Sequence, residues 1–363
     1  MHHLIDHWIR PELRALSAYQ VADARGLIKL DAMENPYGWP EGMKQEWAAL
    51  LSQVAINRYP DPQATQLQGP LRAAMGIADD MGLLLGNGSD EIIQMLCLAL
   101  AGPGRTLLSV EPGFVMYRLI ASFCGLRYCG VPLNPEDFSL DLPTLLQTLE
   151  QEQPALVFLA YPNNPTGNLF DEQALLAIIQ AAPGLVVIDE AYAPFTDASF
   201  MARLGQFDNL LVMRTLSKMG LAGLRLGLLA GPRSWLEQLD KVRMPYNINS
   251  LTQASAAFAL RHIQVLQQQT QQIRRDRALL QGQLQTLPGL TPYASEANFI
   301  LLRLPEGRAS AVFAAMKQQG VLVKNLHGAH PSLRDCLRLT IGTPEENQAC
   351  LRALQTALSI RVP

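Results

Sequence analysis

Through the middle of this chain, short runs that are apolar throughout alternate with longer stretches whose apolar residues recur at helical spacing. Leu156-Val-Phe-Leu-Ala160, Leu185-Val-Val-Ile188 and Leu210-Leu-Val-Met213 are runs of the first kind. The pattern predicts helix 90–101, strand 105–110, helix 113–124, strand 127–131, helix 142–151 and strand 155–160. It continues with helix 171–182, strand 185–189, strand 209–214 and an apolar, Gly-rich strand 224–230. Strands alternating with helices build a mostly parallel sheet covered on both faces, so the fold class is α/β.

The two ends read differently. Residues 1–45 are punctuated by Pro11, Pro36 and Pro40 and predict an irregular arm packed on something larger. Residues 251–287 predict one long helical stretch, rich in glutamine, with a rough stripe from Leu260 and Ile263 to Leu284 and Leu287. Its heptad is not sustained, which favours a solvated linking helix over a coiled-coil partner site. After Pro288 come short strands at 298–304, 321–324 and 336–341 and two helices, the pattern of a smaller α+β domain. The expected organisation is an N-terminal arm (1–45) packing with the small domain, a large domain (46–255) and a small domain (256–363) that begins with the linking helix.

Composition narrows the class of partner. At 363 residues the prior is two or three domains, at about 150 residues each. Hydrophobic residues at 48% and charged residues at 17% describe a globular chain, not a disordered one. Lysine and arginine number 29 against 32 acids, with no basic block, which argues against nucleic acid or an anionic membrane as main partner. The five cysteines lack the paired spacing of a zinc or redox site and fit reduced thiols in a cytoplasm. Asp6, Arg10, Pro11, Glu12 and Arg14 interrupt any signal-peptide core, and no stretch approaches the ~20 apolar residues of a membrane helix. His2 and His3 have no third ligand at a fixed offset, so no metal site is expected.

Chemistry gathers at the carboxyl ends of the predicted strands, where open α/β sheets bind ligands. Lys218, one of six lysines, sits in Met213-Arg-Thr-Leu-Ser-Lys-Met219, with Arg225 seven residues on. Tyr161-Pro-Asn-Asn-Pro-Thr-Gly167 follows one apolar run, and Asp189-Glu-Ala-Tyr192 follows another. In Leu85-Gly-Asn-Gly-Ser-Asp-Glu91, glycines allow a tight turn, Ser89 is placed to cap, and first-turn amides face an anion. An Asp-Glu strand end also suits the magnesium site of nucleotide hydrolases. No lysine here follows a glycine, however, so the phosphate loop of those enzymes is missing. A Schiff-base lysine, an aspartate for a pyridinium proton and a phosphate-binding loop are the parts pyridoxal phosphate requires.

Pro162-Asn-Asn-Pro-Thr-Gly167, Asp189-Glu-Ala-Tyr192, Thr215-Leu-Ser-Lys218 and Gly223-Leu-Arg-Leu-Gly227 together resemble the fold-type I, class II pyridoxal-phosphate aminotransferases, in order and separation, over nearly the whole chain. Within that group, Leu30-Asp-Ala-Met-Glu-Asn-Pro-Tyr-Gly38, Arg58-Tyr-Pro60 and Cys336-Leu-Arg-Leu-Thr-Ile-Gly-Thr343 resemble the histidinol-phosphate aminotransferases. The resemblance implies a large domain with a mostly parallel mixed sheet between helices, a smaller α+β domain, pyridoxal 5'-phosphate as cofactor and a homodimer.

By that resemblance Lys218 carries the cofactor and moves the substrate proton, Asp189 pairs with the pyridine nitrogen, and Tyr192 and Asn164 bind the phenolate oxygen. Phe114 stacks on the ring. Gly88, Ser89, Asp90, Thr215, Ser217 and Arg225 hold the phosphate, and Tyr59 reaches in from the partner subunit. Arg338 takes a carboxylate or the substrate's phosphate with Lys324 nearby, while Tyr19 and Asn35 line the substrate side. Lys324 stands where some relatives have arginine, Met33 where many have asparagine, and the Lys218 to Arg225 loop is one residue short. The implied reaction joins L-histidinol phosphate and 2-oxoglutarate in histidine biosynthesis. An aromatic aminotransferase, a phosphothreonine decarboxylase and a noncatalytic cofactor-binding regulator remain alternatives at this point.

Overall fold

The computed structural model describes residues 2–18 and 20–359. Its larger sheet has seven strands in the spatial order Gly82–Gly86, Gly227–Gly231, Leu210–Thr215, Leu185–Asp189, Leu156–Ala160, Thr106–Glu111 and Arg127–Pro132. Only Gly227–Gly231 runs antiparallel to its neighbours. The central strands are apolar throughout because both faces are covered. Val157, Leu159, Val186, Ile188 and Val212 point into one core, with Leu71, Leu149, Leu175 and Ile178 from the helices on that side. Phe158, Val187, Leu211 and Met213 point into another, with Ile92, Leu96 and Ile120.

The second sheet has five strands, ordered Ile28–Leu30, Val321–Asn325, Cys336–Thr340, Phe299–Arg303 and Thr291–Pro292. The N-terminal segment is therefore less irregular than its prolines suggest. Ile28–Leu30 pairs in parallel with Val321–Val323, and Leu30 is buried in the core of this sheet. A strand of three residues is too short for periodicity to reveal, so only its partner makes it one.

The predicted long helix is two, Ser250–Arg261 and Ile263–Gln285, broken at His262 with no proline or glycine to mark the break. Ala256, Ala259, Leu260 and Leu266 belong to the first core, whereas Ile273, Leu280 and Leu284 belong to that of the small sheet. The changeover thus lies within the second helix, past the expected division after residue 255.

One buried ion pair ties the strand ends that matter for the site. Glu190 follows Asp189, Arg214 precedes Thr215, and the Glu190 side chain is wholly buried. Arg214 Nε and Nη2 donate to Glu190 Oε2 at 2.8 and 2.7 Å, and Ser199 Oγ adds a third bond at 3.0 Å. The Phe200 amide donates to Oε1, and Arg214 Nη1 reaches the Met75 carbonyl at 3.1 Å. Removing one partner of such a pair strands a buried charge, which costs about 3–5 kcal/mol, whereas removing both costs far less. Arg214→Leu should lower the denaturation midpoint by that amount of free energy, and adding Glu190→Leu should recover part of it. Equal stability of Arg214→Leu and wild type in urea titration would contradict the assignment.

Candidate active site

At the carboxyl ends of Leu156–Ala160, Leu185–Asp189 and Leu210–Thr215 lies a cavity of about 370 Å³. Lys218, Asp189, Tyr192, Asn164 and Phe114 line it. So do Ser89, Asp90, Thr215, Ser217 and Arg225, although these residues come from five separate segments of the chain. Ala32, Met33 and Glu34 from the N-terminal segment close another side.

Asp189 is the electrostatic oddity of the cavity. It is buried, and its bonded partners are neutral: the Tyr117 hydroxyl donates to Oδ2 at 2.6 Å and the Ala191 amide to Oδ1 at 3.0 Å. Burial pushes its carboxyl up to about 6, against the pull of those two bonds. A buried carboxylate needs a positive partner. The protonated nitrogen of a pyridine ring would be that partner, so Asp189 fits the expected cofactor.

Lys218 has the complementary perturbation. Burial, helped by the nearby Arg338 charge, lowers its ammonium from the usual lysine range to about 8. Nζ donates to the Ala32 carbonyl at 3.3 Å and lies 5.8 Å from the centroid of the Tyr192 ring. Burial also raises the Tyr192 hydroxyl, which accepts from Asn164 Nδ2 at 3.1 Å. Asn164 Oδ1 in turn accepts from Arg338 Nη1 at 2.6 Å, and Arg338 Nη2 donates to the Asp31 carbonyl at 3.0 Å.

The anion end is shaped by backbone. Gly88 has φ +85°, and a Cβ there would stand 2.5 Å from Arg225 Nη2, so only glycine lets the guanidinium approach. Arg225, itself left-handed at φ 49°, meets Asp90 at 3.3 Å. Thr215 Oγ1 accepts from the Ser217 amide at 3.1 Å. The short loop between Lys218 and Arg225 is accommodated by two consecutive 3₁₀ turns, Ser217–Met219 and Ala222–Leu224, around Gly220 at φ +113°. Ser89 is not a cap. It is the first residue of helix Ser89–Leu100, and Glu91 Oε2 instead reaches back to accept from the Asn87 amide at 2.6 Å.

The remaining expected residues scatter. Lys324 and Arg338 face each other across adjacent strands and line a second cavity of about 510 Å³, which shares Met33, Phe114 and Asn164 with the first. Asn35 does not line the first cavity. Its amide donates to the Met219 carbonyl and to Gln269 Oε1, both at 3.1 Å, and its oxygen accepts from the Tyr37 amide. It braces the loop after Lys218, because these bonds occupy the whole side chain. Tyr59 is 81% exposed and stacks on Tyr246 at 4.5 Å, away from its own chain's cavity. Tyr19 lies outside the described residues. Met33 adopts φ 54°, a left-handed conformation that methionine rarely takes. Tyr117 escaped sequence reading, although helical spacing sets it three residues past Phe114, on whose ring it packs at 5.4 Å. Among the described residues no cluster could hold a metal ion, and no helix is long and apolar enough to cross a membrane.

The model of the family described as aminotransferase class I and II matches residues 25–354. Histidinol-phosphate aminotransferase 2 of Nitrosococcus oceani is 58% identical over 351 residues, 97% of each chain. The histidinol-phosphate aminotransferase of Chromobacterium violaceum is 53% identical over 97% of this chain and 98% of its own. Among solved structures, the histidinol-phosphate aminotransferase of Sinorhizobium meliloti, in complex with pyridoxal-5'-phosphate, superposes with a TM-score of 0.84. At 22% identity over 97% of each chain, it supports the fold alone. With the family model matched over most of its length, the chain belongs to the class I and II aminotransferases.

Proposed function

We propose that this chain is a cytoplasmic, homodimeric aminotransferase that carries the amino group of L-histidinol phosphate to 2-oxoglutarate in histidine biosynthesis. The products are imidazole-acetol phosphate and L-glutamate. The observation that carries this reading is the 58% identity, over nearly all of both chains, to a protein of that name. The chemistry is supported by an acid and an amine perturbed in complementary ways within one cavity.

Pyridoxal 5'-phosphate, when bound, supplies an aldehyde that captures amines and a ring that accepts the electrons released at the substrate α-carbon. Asp189 would hold the proton on the ring nitrogen, and Tyr117 fixes the carboxylate that would do so. Tyr192 and Asn164 hold the phenolate oxygen, and Phe114 covers the ring. Lys218 Nζ, kept more readily as the free amine by burial, would be the group that takes and returns the proton at the substrate α-carbon. Arg225, Thr215, Ser217 and the amides at Gly88, Ser89 and Asp90 bind the phosphate. Each hydrogen bond to a charged group contributes about 1.5–3 kcal/mol, so these residues would hold the cofactor by its phosphate independently of Lys218.

Two half-reactions share the cavity in a ping-pong sequence. Arg338 binds a carboxylate of 2-oxoglutarate in one and, with Lys324, the donor's phosphate in the other. Lysine serves as a point charge where an arginine would grip two oxygens. Tyr59 completes the partner's phosphate site. Its exposure, and that of Ile56, Met244 and Tyr246, supports a surface covered by a second copy.

Mixing the loaded enzyme with single amino donors tests the substrate. The visible absorbance of the bound cofactor should be lost much faster with histidinol phosphate than with phenylalanine, and equal rates would move the assignment to an aromatic aminotransferase. The lowered Lys218 value has its own consequence. Only the unprotonated amine reacts, so cofactor uptake by stripped protein should quicken with rising pH up to about 8 and then level off. Uptake still accelerating at pH about 10, the ordinary lysine range, would contradict that environment. The shared site is checked by subunit mixing. Inactive Lys218→Ala chains exchanged with inactive Tyr59→Ala chains should regain part of the activity, and verified exchange without recovery would exclude a composite site.

A further inference from the structure

A third cavity, of about 260 Å³, lies at the Gly82–Gly86 edge of the large sheet, and none of its lining residues lines either cavity at the cofactor site. Because Gly82–Gly86 is an edge strand, one side of its backbone has no neighbouring strand. From that open side Asn247 Nδ2 donates to the Leu85 carbonyl at 3.1 Å. In an antiparallel pair, residues whose backbone groups point toward the neighbour alternate with residues whose groups point away, so Leu83 and Leu85 turn their amides outward too. Both residues line the cavity.

Arg72, Arg233 and Arg243 line the same cavity. Arg72 Nη1 donates to the Ala78 carbonyl at 3.0 Å, and Arg233 Nε and Nη2 donate to the Asp80 and Asp79 carbonyls at 3.1 and 2.7 Å. Those bonds gather the two side chains around one turn. Arg243, its side chain only 11% exposed, is held by Asp240 Oδ1 at 2.6 Å and the Pro62 carbonyl at 3.0 Å. Each guanidinium carries more N–H groups than these bonds use. Asp240 neutralises Arg243, which leaves Arg72 and Arg233, neither of them ion-paired among the described residues, beside a single further carboxylate, Glu237.

Backbone amides and guanidiniums together offer donors and positive charge, the combination that binds oxyanions, and a planar guanidinium grips two oxygens at once. We propose that this cavity binds a small oxyanion, a phosphate ester or a carboxylate, at a site separate from those of substrate and cofactor. Leu83 and Leu85 donate their amides to it, and Arg72, Arg233 and Arg243 supply the charge.

Equilibrium dialysis of the holoenzyme against labelled inorganic phosphate, and separately against malonate, tests this. At least one of the two anions should fill a site that survives Arg338→Ala, the change that removes the proposed substrate phosphate contact, and whichever binds there assigns the ligand as phosphate ester or carboxylate. Added to that background, Arg72→Gln and Arg233→Gln should each weaken the surviving site about ten- to hundredfold. In the otherwise unchanged chain, the same two substitutions should leave cofactor absorbance, thermal melting and turnover near wild type, which separates lost binding from misfolding. Should one of them melt early, the other remains the test. No binding of either anion to the Arg338→Ala holoenzyme, or binding that both glutamine variants leave untouched, would overturn the proposal.

Discussion

Everything at the site depends on a carboxylate placed where no cation among the described residues meets it. Asp189 ends a strand whose five residues are all buried, and its bonded partners are a phenol and an amide. Burial favours the neutral acid, which is why its carboxyl stands near 6. A cationic ring nitrogen would reverse that preference, so a bound pyridinium would complete the strand end. The surrounding cores make the position rigid: Phe158 stacks on Tyr117 at 4.6 Å, and Tyr117 bonds Asp189.

Lys218 mirrors this arrangement with the opposite sign. Its amine is lowered by the same cause, burial, and the nearby Arg338 adds repulsion. Arg338 is itself engaged by Asn164 and the Asp31 carbonyl, so one network runs from the small sheet through the Asn164 loop to Tyr192. On the proposed roles, an anion bound at Arg338 would therefore act on the Lys218 amine through charge. The Glu190 and Arg214 pair holds the two strands that deliver Asp189 and the Lys218 loop in fixed relation.

The cavity also depends on both sheets. Its floor belongs to the large sheet, while Ala32, Met33 and Glu34 follow directly on the edge strand of the small one. Met33 tolerates a left-handed backbone because Thr340 Oγ1 accepts its amide and Asn298 donates to its carbonyl. Fixing this segment closes the site over Lys218, whose Nζ donates to Ala32.

Much of this was legible in the sequence because it is encoded by neighbours. Apolar runs bounded by polar residues predict buried parallel strands, and Asp189, Tyr192, Asn164, Ser217 and Lys218 lie in the few residues that follow such runs. Their convergence comes from one rule, that parallel strands present their carboxyl ends at one edge. Contacts between distant segments carry no such local signal. The Tyr117 bond to Asp189 spans 72 residues. The bracing role of Asn35 depends on Met219 and Gln269, the break at His262 has no proline or glycine to announce it, and Ile28–Leu30 is a strand only because Val321–Val323 lies beside it. Sequence determined which chemical groups stand at the strand ends, through local spacing. Packing between segments far apart in the chain decided which of those groups are desolvated and what each one faces, and desolvation is what shifts Asp189 and Lys218.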